Sequence, residues 1–197
     1  MSYVSTSRGN LLMESLDTFF KKKENLNKIL PIIQGDSKIS LRVIDWFVTN
    51  YSKKYNTSYI INNLTQAILN DSDTYIPNNC RTFIVYIDYK LQLKGYSKRQ
   101  FDPFCRRSRI NFYYNEKDFF VTTIGQLNFF RWIINNNILD YVQKHYETID
   151  FDMNTCYKQQ YNANKSSNIK RRKRQELSIS ASKSLSKSHV KVVLSFD

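Results

Sequence analysis

Apolar positions along the chain follow two rhythms, one helical and one alternating. Leu12, Leu16, Phe19, Leu26 and Leu30 recur at three-, four- and seven-residue steps, which predicts an amphipathic helix over residues 11–30, closed by Pro31. In "LRVIDWFVTNYSKKY" (41–55), Val43 or Ile44, Phe47, Val48 and Tyr51 share a face, with Arg42, Asp45 and Lys53 opposite, so a second helix is expected. "NNLTQAIL" (62–69) reads as a third, short one, followed by a polar loop. The rhythm then changes. "TFIVYIDYKLQL" (82–93) alternates Phe83, Val85, Ile87 and Tyr89 with Ile84, Tyr86, Asp88 and Lys90 and reads as a strand. "RINFYY" and "DFFVTT" flank "NEK", which predicts a β-hairpin over residues 109–123. Helical spacing returns with Leu127, Phe130, Ile134, Ile138 and Tyr141, and "INNNI" offers a break into two helices. Trp46 and Trp132 lie beside these stripes and read as core.

These elements define an α+β fold, helices packed on a small antiparallel sheet. The 197 residues suffice for one buried core. Residues 1–10 read as a disordered lead and 11–153 as the single domain. Periodicity ceases after Met153, so 154–197 is expected to be a basic, Ser-rich, disordered tail.

Charge sharpens the picture. The formal net charge is +13, an imbalance that attracts polyanions. Residues 1–160 carry 21 Lys and Arg against 15 Asp and Glu, a balance of +6, whereas residues 161–197 carry nine against two, or +7. More than half of the excess is therefore in the last fifth of the chain. Two clusters stand out. "GYSKRQFDPFCRRSRI" (95–110), with Lys94 before it, holds Lys94, Lys98, Arg99, Arg106, Arg107 and Arg109 and one acid, Asp102. Pro103 pushes Asp102 toward an extended backbone, and Gly95 offers a turn, so the stretch reads as a surface loop with a rigid corner at "FDPF". Phe101 and Phe104 can pin that corner to the core while the guanidinium groups face outward, each fork able to grip two phosphate oxygens. Alternatively Tyr96, Phe101, Phe104 or Tyr113 could stack on unpaired bases. The plain alternative is a solvated loop balanced by acids such as Asp88, Glu116 and Asp118. The second cluster, "KRRKR" (Lys170, Arg171, Arg172, Lys173, Arg174), reads as a nuclear localisation signal, a nucleic-acid patch or a solubilising tail.

Catalytic patterns are hard to find. His145 and His189 are the two histidines, and helix capping is the commoner use of the first. The four glycines are scattered, so neither a P-loop nor a GxGxxG cradle exists. Cys80, Cys105 and Cys156 lack metal or disulfide spacing. Asp71/Asp73 and Asp150/Asp152 have a cation-holding spacing, but loop capping is its usual meaning. No enzyme activity, metal or cofactor is expected. The N-terminus lacks a signal-peptide apolar run, and no stretch reaches membrane-spanning length, so no membrane partner is expected.

"IDWFVTNYSKKYN", "YKLQLKGYSKRQFDPFCRRSRI" and "TTIGQLNFFRWIINNNILDYV" resemble a family of uncharacterised proteins shared among large nucleocytoplasmic DNA viruses of algae and amoebae. The similarity covers residues 40–153, with "FDPFCRR" its most specific part. It implies a viral source and carries no activity or site assignments. The abundance of Asn, Lys, Ile and Tyr, as in AT-rich genomes, agrees with it. The expectation is a non-enzymatic viral nucleic-acid-binding protein, using the basic loop as a fixed surface and the tail as a clamp. It would act in genome packaging, condensation or gene expression. Its place would be the cytoplasmic factory or nucleus of the infected cell, or the virion. The alternatives are a virion scaffold bound to viral proteins and an RNA-binding adaptor.

Overall fold

The computed structural model describes residues 7–65, 67–69, 79–105, 109–115 and 118–166. The tail cluster 170–174, Arg106, Arg107, Glu116, His189 and the Asp71/Asp73 pair lie outside them. The fold is α+β: helices dominate, and the strands form two small antiparallel pairs.

Two helices replace the one expected over 11–30. Helix α1 (Ser7–Phe20) stops before Lys21, and α2 (Lys23–Gln34) restarts at once. The Asn25 side-chain amide donates to the Phe19 carbonyl at 2.9 Å, satisfying a group that the end of α1 leaves open. Pro31 does not close α2; it lies inside it. The helix runs on to Gly35, which takes the left-handed conformation (φ 83°) and donates to the Pro31 carbonyl, as do Asp36 and Ser37. A proline in a helix interior forfeits one amide donor, and here the buried Ile29 and the C-terminal cap offset that loss.

The second predicted helix is present, with an unforeseen bulge. α3 (Leu41–Trp46) is capped by the Ser40 hydroxyl, which accepts from the Val43 amide. It passes through a π-helical turn (Phe47–Tyr51) into α4 (Ser52–Lys54). Strand β1 (Ser58–Asn62) follows. Among the described residues of 62–69 the expected helix is absent. The Asn62 carbonyl oxygen of the side chain accepts from the amides of Leu64 and Thr65, a local turn that competes with helix, and Ile68 bridges Ile61.

The strand expected over 82–93 is cut short. β2 (Cys80–Ile84) pairs antiparallel with β1, Tyr59 opposite Phe83, and then the chain turns helical at Val85. Helix α5 (Val85–Phe101) buries Val85 and Tyr89, one turn apart, and leaves Ile87 exposed. A strand would have put all three on one face. Packing decides against local β-propensity: Tyr89 meets the rings of Phe129 and Trp132, and the Trp132 indole N–H donates to Asp88 at 2.6 Å.

The hairpin forms as expected from β3 (Ile110–Tyr113) and β4 (Phe119–Thr122), with Tyr113 opposite Phe119. Thr123 caps α6 (Ile124–Asn135), accepting from the Gln126 amide at 3.1 Å. The "NNN" break is real: Asn137 adopts φ 53°, a conformation asparagine tolerates, and α7 (Ile138–Lys144) starts there. α8 runs Tyr146–Ser166, beyond the point where apolar periodicity ends. The compact unit is Met1–Lys158, and Gln159–Asp197 forms a second. α6 is the central helix of the first, with Leu127, Phe129, Phe130 and Ile133 fully buried.

Candidate nucleic-acid interface

The basic stretch is half helix rather than loop. Lys94 is exposed on α5, and Gly95 continues that helix. The kink comes two residues later, at Ser97, with φ 66° and ψ 163°. This region is nearly exclusive to glycine and costs a side-chain-bearing residue on the order of 1–3 kcal/mol. The surroundings that hold it are identifiable. After the kink, the Asn128 side chain donates to the Gln100 carbonyl at 2.9 Å, and Arg131 donates to Asn128, to the Tyr96 hydroxyl and to the Ser15 hydroxyl. Gly125 admits the segment: a Cβ there would lie 3.1 Å from the carbonyl oxygens of Arg99 and Asp102 and 3.3 Å from the Phe101 nitrogen.

Phe101 is the anchor. Its ring is fully buried against Tyr89, Tyr96, Phe129 and Trp132. In this fold it therefore offers no open face to a base. Tyr96 is engaged too, parallel to Phe101 (13° between planes) with its hydroxyl bound by Arg131. Pro103 is buried, while Phe104 is 45% exposed and Tyr113 58%. Of the four rings named from sequence, two remain open to a ligand.

Lys98 and Arg99 follow the kink, and Arg109 precedes β3; all are exposed. Their lack of partners among the described residues is informative by contrast. Arg42 lies over the Tyr157 ring, Arg81 donates to Asn136 and covers Phe83, and Arg131 is bound as above. Among the described residues, no ion pair or hydrogen bond engages the side chains of Lys94, Lys98, Arg99 or Arg109. Three nearby acids of the described residues are instead engaged in hydrogen bonds with neutral donors. Asp102 accepts from the Phe104 amide at 2.9 Å and lies close enough to Asp45 to raise its pKa. Asp88 faces Trp132, and Asp118 accepts from the Asn115 side chain.

Two further carboxylates have surroundings that the sequence did not disclose. Asp45, placed on the polar side of its helix by periodicity, is partly buried, and its carboxyl is pushed up to about 7 by desolvation first and by Asp102 second. Asp152 lies within α8 and not in a connector. It is 8% exposed, and burial alone would raise it, but donation from Lys54 and Trp46, with Tyr55 adding to it, holds it below the ordinary value. Its neighbour Asp150 accepts from Asn154, so the pair does not converge on a cation. Among the described residues, no cluster of three metal-ligating side chains exists, and no helix is long and apolar enough to cross a membrane.

No solved structure matches the chain. Sequence comparison places it. Residues 3–195 match a family of unknown function, DUF7197, and the chain belongs to that family. A relative, the uncharacterized protein L507 of Acanthamoeba polyphaga mimivirus, is 45% identical over 130 residues. The match covers 64% of this chain but 45% of that protein, so the chain spans less than half the length of its relative. This is an uncharacterised giant-virus protein family, as the motifs at 40–153 implied.

Proposed function

We propose that the protein binds nucleic acid without sequence preference and without catalysis, in the packaging, condensation or expression of a viral genome. The observation that carries this is the set of exposed cations, Lys94, Lys98, Arg99 and Arg109, unpaired among the described residues, around a ring fixed in the core. Arginine forks held outward suit phosphate oxygens, and phosphate contacts carry no base code. Arg106 and Arg107 add to the same segment, and Lys170, Arg171, Arg172, Lys173 and Arg174 supply a second cationic element.

The test is the salt dependence of binding to a duplex. Each neutralised phosphate contributes about 0.9 to the logarithmic slope. Replacing Arg99, Arg106, Arg107 and Arg109 by Gln should lower the slope by about 0.9 for each that reaches a phosphate, with the melting temperature unchanged. A flat salt response of the wild type refutes the reading. A second reading, a scaffold protein, draws on Ile84, Ile87 and Leu91, which follow each other at three and four residues and are 43%, 54% and 59% exposed. It requires a defined protein complex that survives nuclease treatment.

A further inference from the structure

The β3–β4 hairpin has one face too many. Strand alternation sends Phe112, Phe120 and Thr122 inward, at 3%, 6% and 2% exposure, with Phe112 edge-on to Phe20 of α1. The opposite face carries Asn111, Tyr113, Phe119 and Val121, in the register Asn111 to Val121 and Tyr113 to Phe119. A hairpin with one face on a core ordinarily turns polar side chains to water. Here three of the four outward residues are apolar, and Tyr113, Phe119 and Val121 are 58%, 47% and 43% exposed. The two rings lie 5.2 Å apart at 43°, and among the described residues neither makes another ring contact. The Tyr113 hydroxyl likewise has no hydrogen bond there.

We infer that this outer face stacks the bases of single-stranded nucleic acid, with Tyr113 and Phe119 as the stacking rings and Arg109 as the adjoining phosphate contact. The inference rests on the nucleic-acid reading above and names the strand state that this face selects. Charge complementarity favours that occupant. Arg109 immediately precedes β3, and continued alternation places it on the same side as Asn111 and Tyr113, about 13 Å along the strand from the latter. Arg106 and Arg107 precede the hairpin in sequence, and its turn carries Lys117 beside Glu116. Asp118, the acid of the described turn, is engaged there by Asn115. A second copy of the chain would bring the same cations against themselves across a two-fold axis, on a protein of net charge +13. A duplex keeps its base faces stacked inside, whereas an unpaired base presents a face to an aromatic side chain whatever its sequence.

The experiment uses the full chain and three labelled probes of equal length: oligothymidylate, oligouridylate and a duplex. Tyr113→Thr with Phe119→Thr keeps β-propensity while removing the rings. Fluorescence anisotropy should show at least a tenfold loss of affinity for one or both single strands, about what one lost stacking contact produces, and less than about a twofold loss for the duplex. Loss on one sugar alone supports the inference and identifies the strand. A separate variant, Phe119→Trp, should retain binding, and its emission should be quenched by the single strand and not by the duplex. The native Trp46 and Trp132 are buried, at 8% and 6% exposure, and so add a constant emission shielded from contact quenching, which the wild type measures. Equal losses on all probes, or none, overturn the inference while leaving the function reading standing. So does a wild-type dimer that the double substitution dissociates without changing binding. A wild type that binds no probe overturns both, and should the double variant fail to fold, the Trp readout decides alone.

Discussion

Asp45→Asn should stabilise the protein, and only above the acid range. Asp45 lies on α3, partly buried, with the carboxylate of Asp102 and the ring of Tyr89 close enough to interact electrostatically. Burial first, and Asp102 second, raise its pKa from 3.8 to about 7. Below 3.8 both folded and unfolded chains hold the proton, and the group contributes nothing to stability. Between 3.8 and about 7 the unfolded chain releases it while the folded chain keeps it, so stability falls as pH rises. Above about 7 the full cost applies. At about 1.4 kcal/mol per pH unit that ceiling is about 4 kcal/mol, and relaxation around the charge brings the expected value to roughly 2–4 kcal/mol. The amide has the same shape and no charge. Urea denaturation should therefore find the variant more stable by roughly 2–4 kcal/mol at about pH 8, and within about 0.5 kcal/mol of wild type at about pH 4. Taking the difference between the two proteins removes the opposite trend of Asp152, whose lowered pKa makes stability fall on acidification. A variant equally affected at both pH values, or less stable at the higher one, refutes the buried-carboxyl account.

Two backbone positions should link the fold to the cationic segment. Gly125→Ala places a methyl against three backbone atoms of residues 99–102 at 3.1–3.3 Å. Backbone yields poorly, so a loss of about 1–3 kcal/mol is expected by thermal denaturation, with weaker nucleic-acid binding as Arg99 shifts. Unchanged stability would mean that α6 and the segment are not in contact. Ser97→Gly removes a side chain from a conformation that glycine adopts freely, and should raise stability by about 1–2 kcal/mol. A loss of stability would show that Ser97 is not held at positive φ.

Much of this protein was determined by its sequence alone, wherever a local rule and the global packing agree. The hairpin at 109–123 is one case, since alternation, turn residues and the core face coincide, and the asparagine break between α6 and α7 is another. The excess of positive charge, and a corner at "FDPF" with rings turned to the core and cations outward, also follow from residue order, although only Phe101 of the two rings is buried. The sequence even held the signal for Phe119: "YY" and "FF" across a short turn must each send one ring inward and one outward. Tertiary structure decided what local propensity leaves balanced. The run from Thr82 to Leu93 suits a strand, yet helix α5 forms because Tyr89 and Asp88 reach partners on α6, 40 and 44 residues away in the chain. Asp45 reads as a surface acid until the approach of Asp102 and the surrounding burial appear. No periodicity announces that Phe101 is enclosed while Phe104 is not, because exposure depends on which neighbours fold over a ring, and those neighbours come from distant elements.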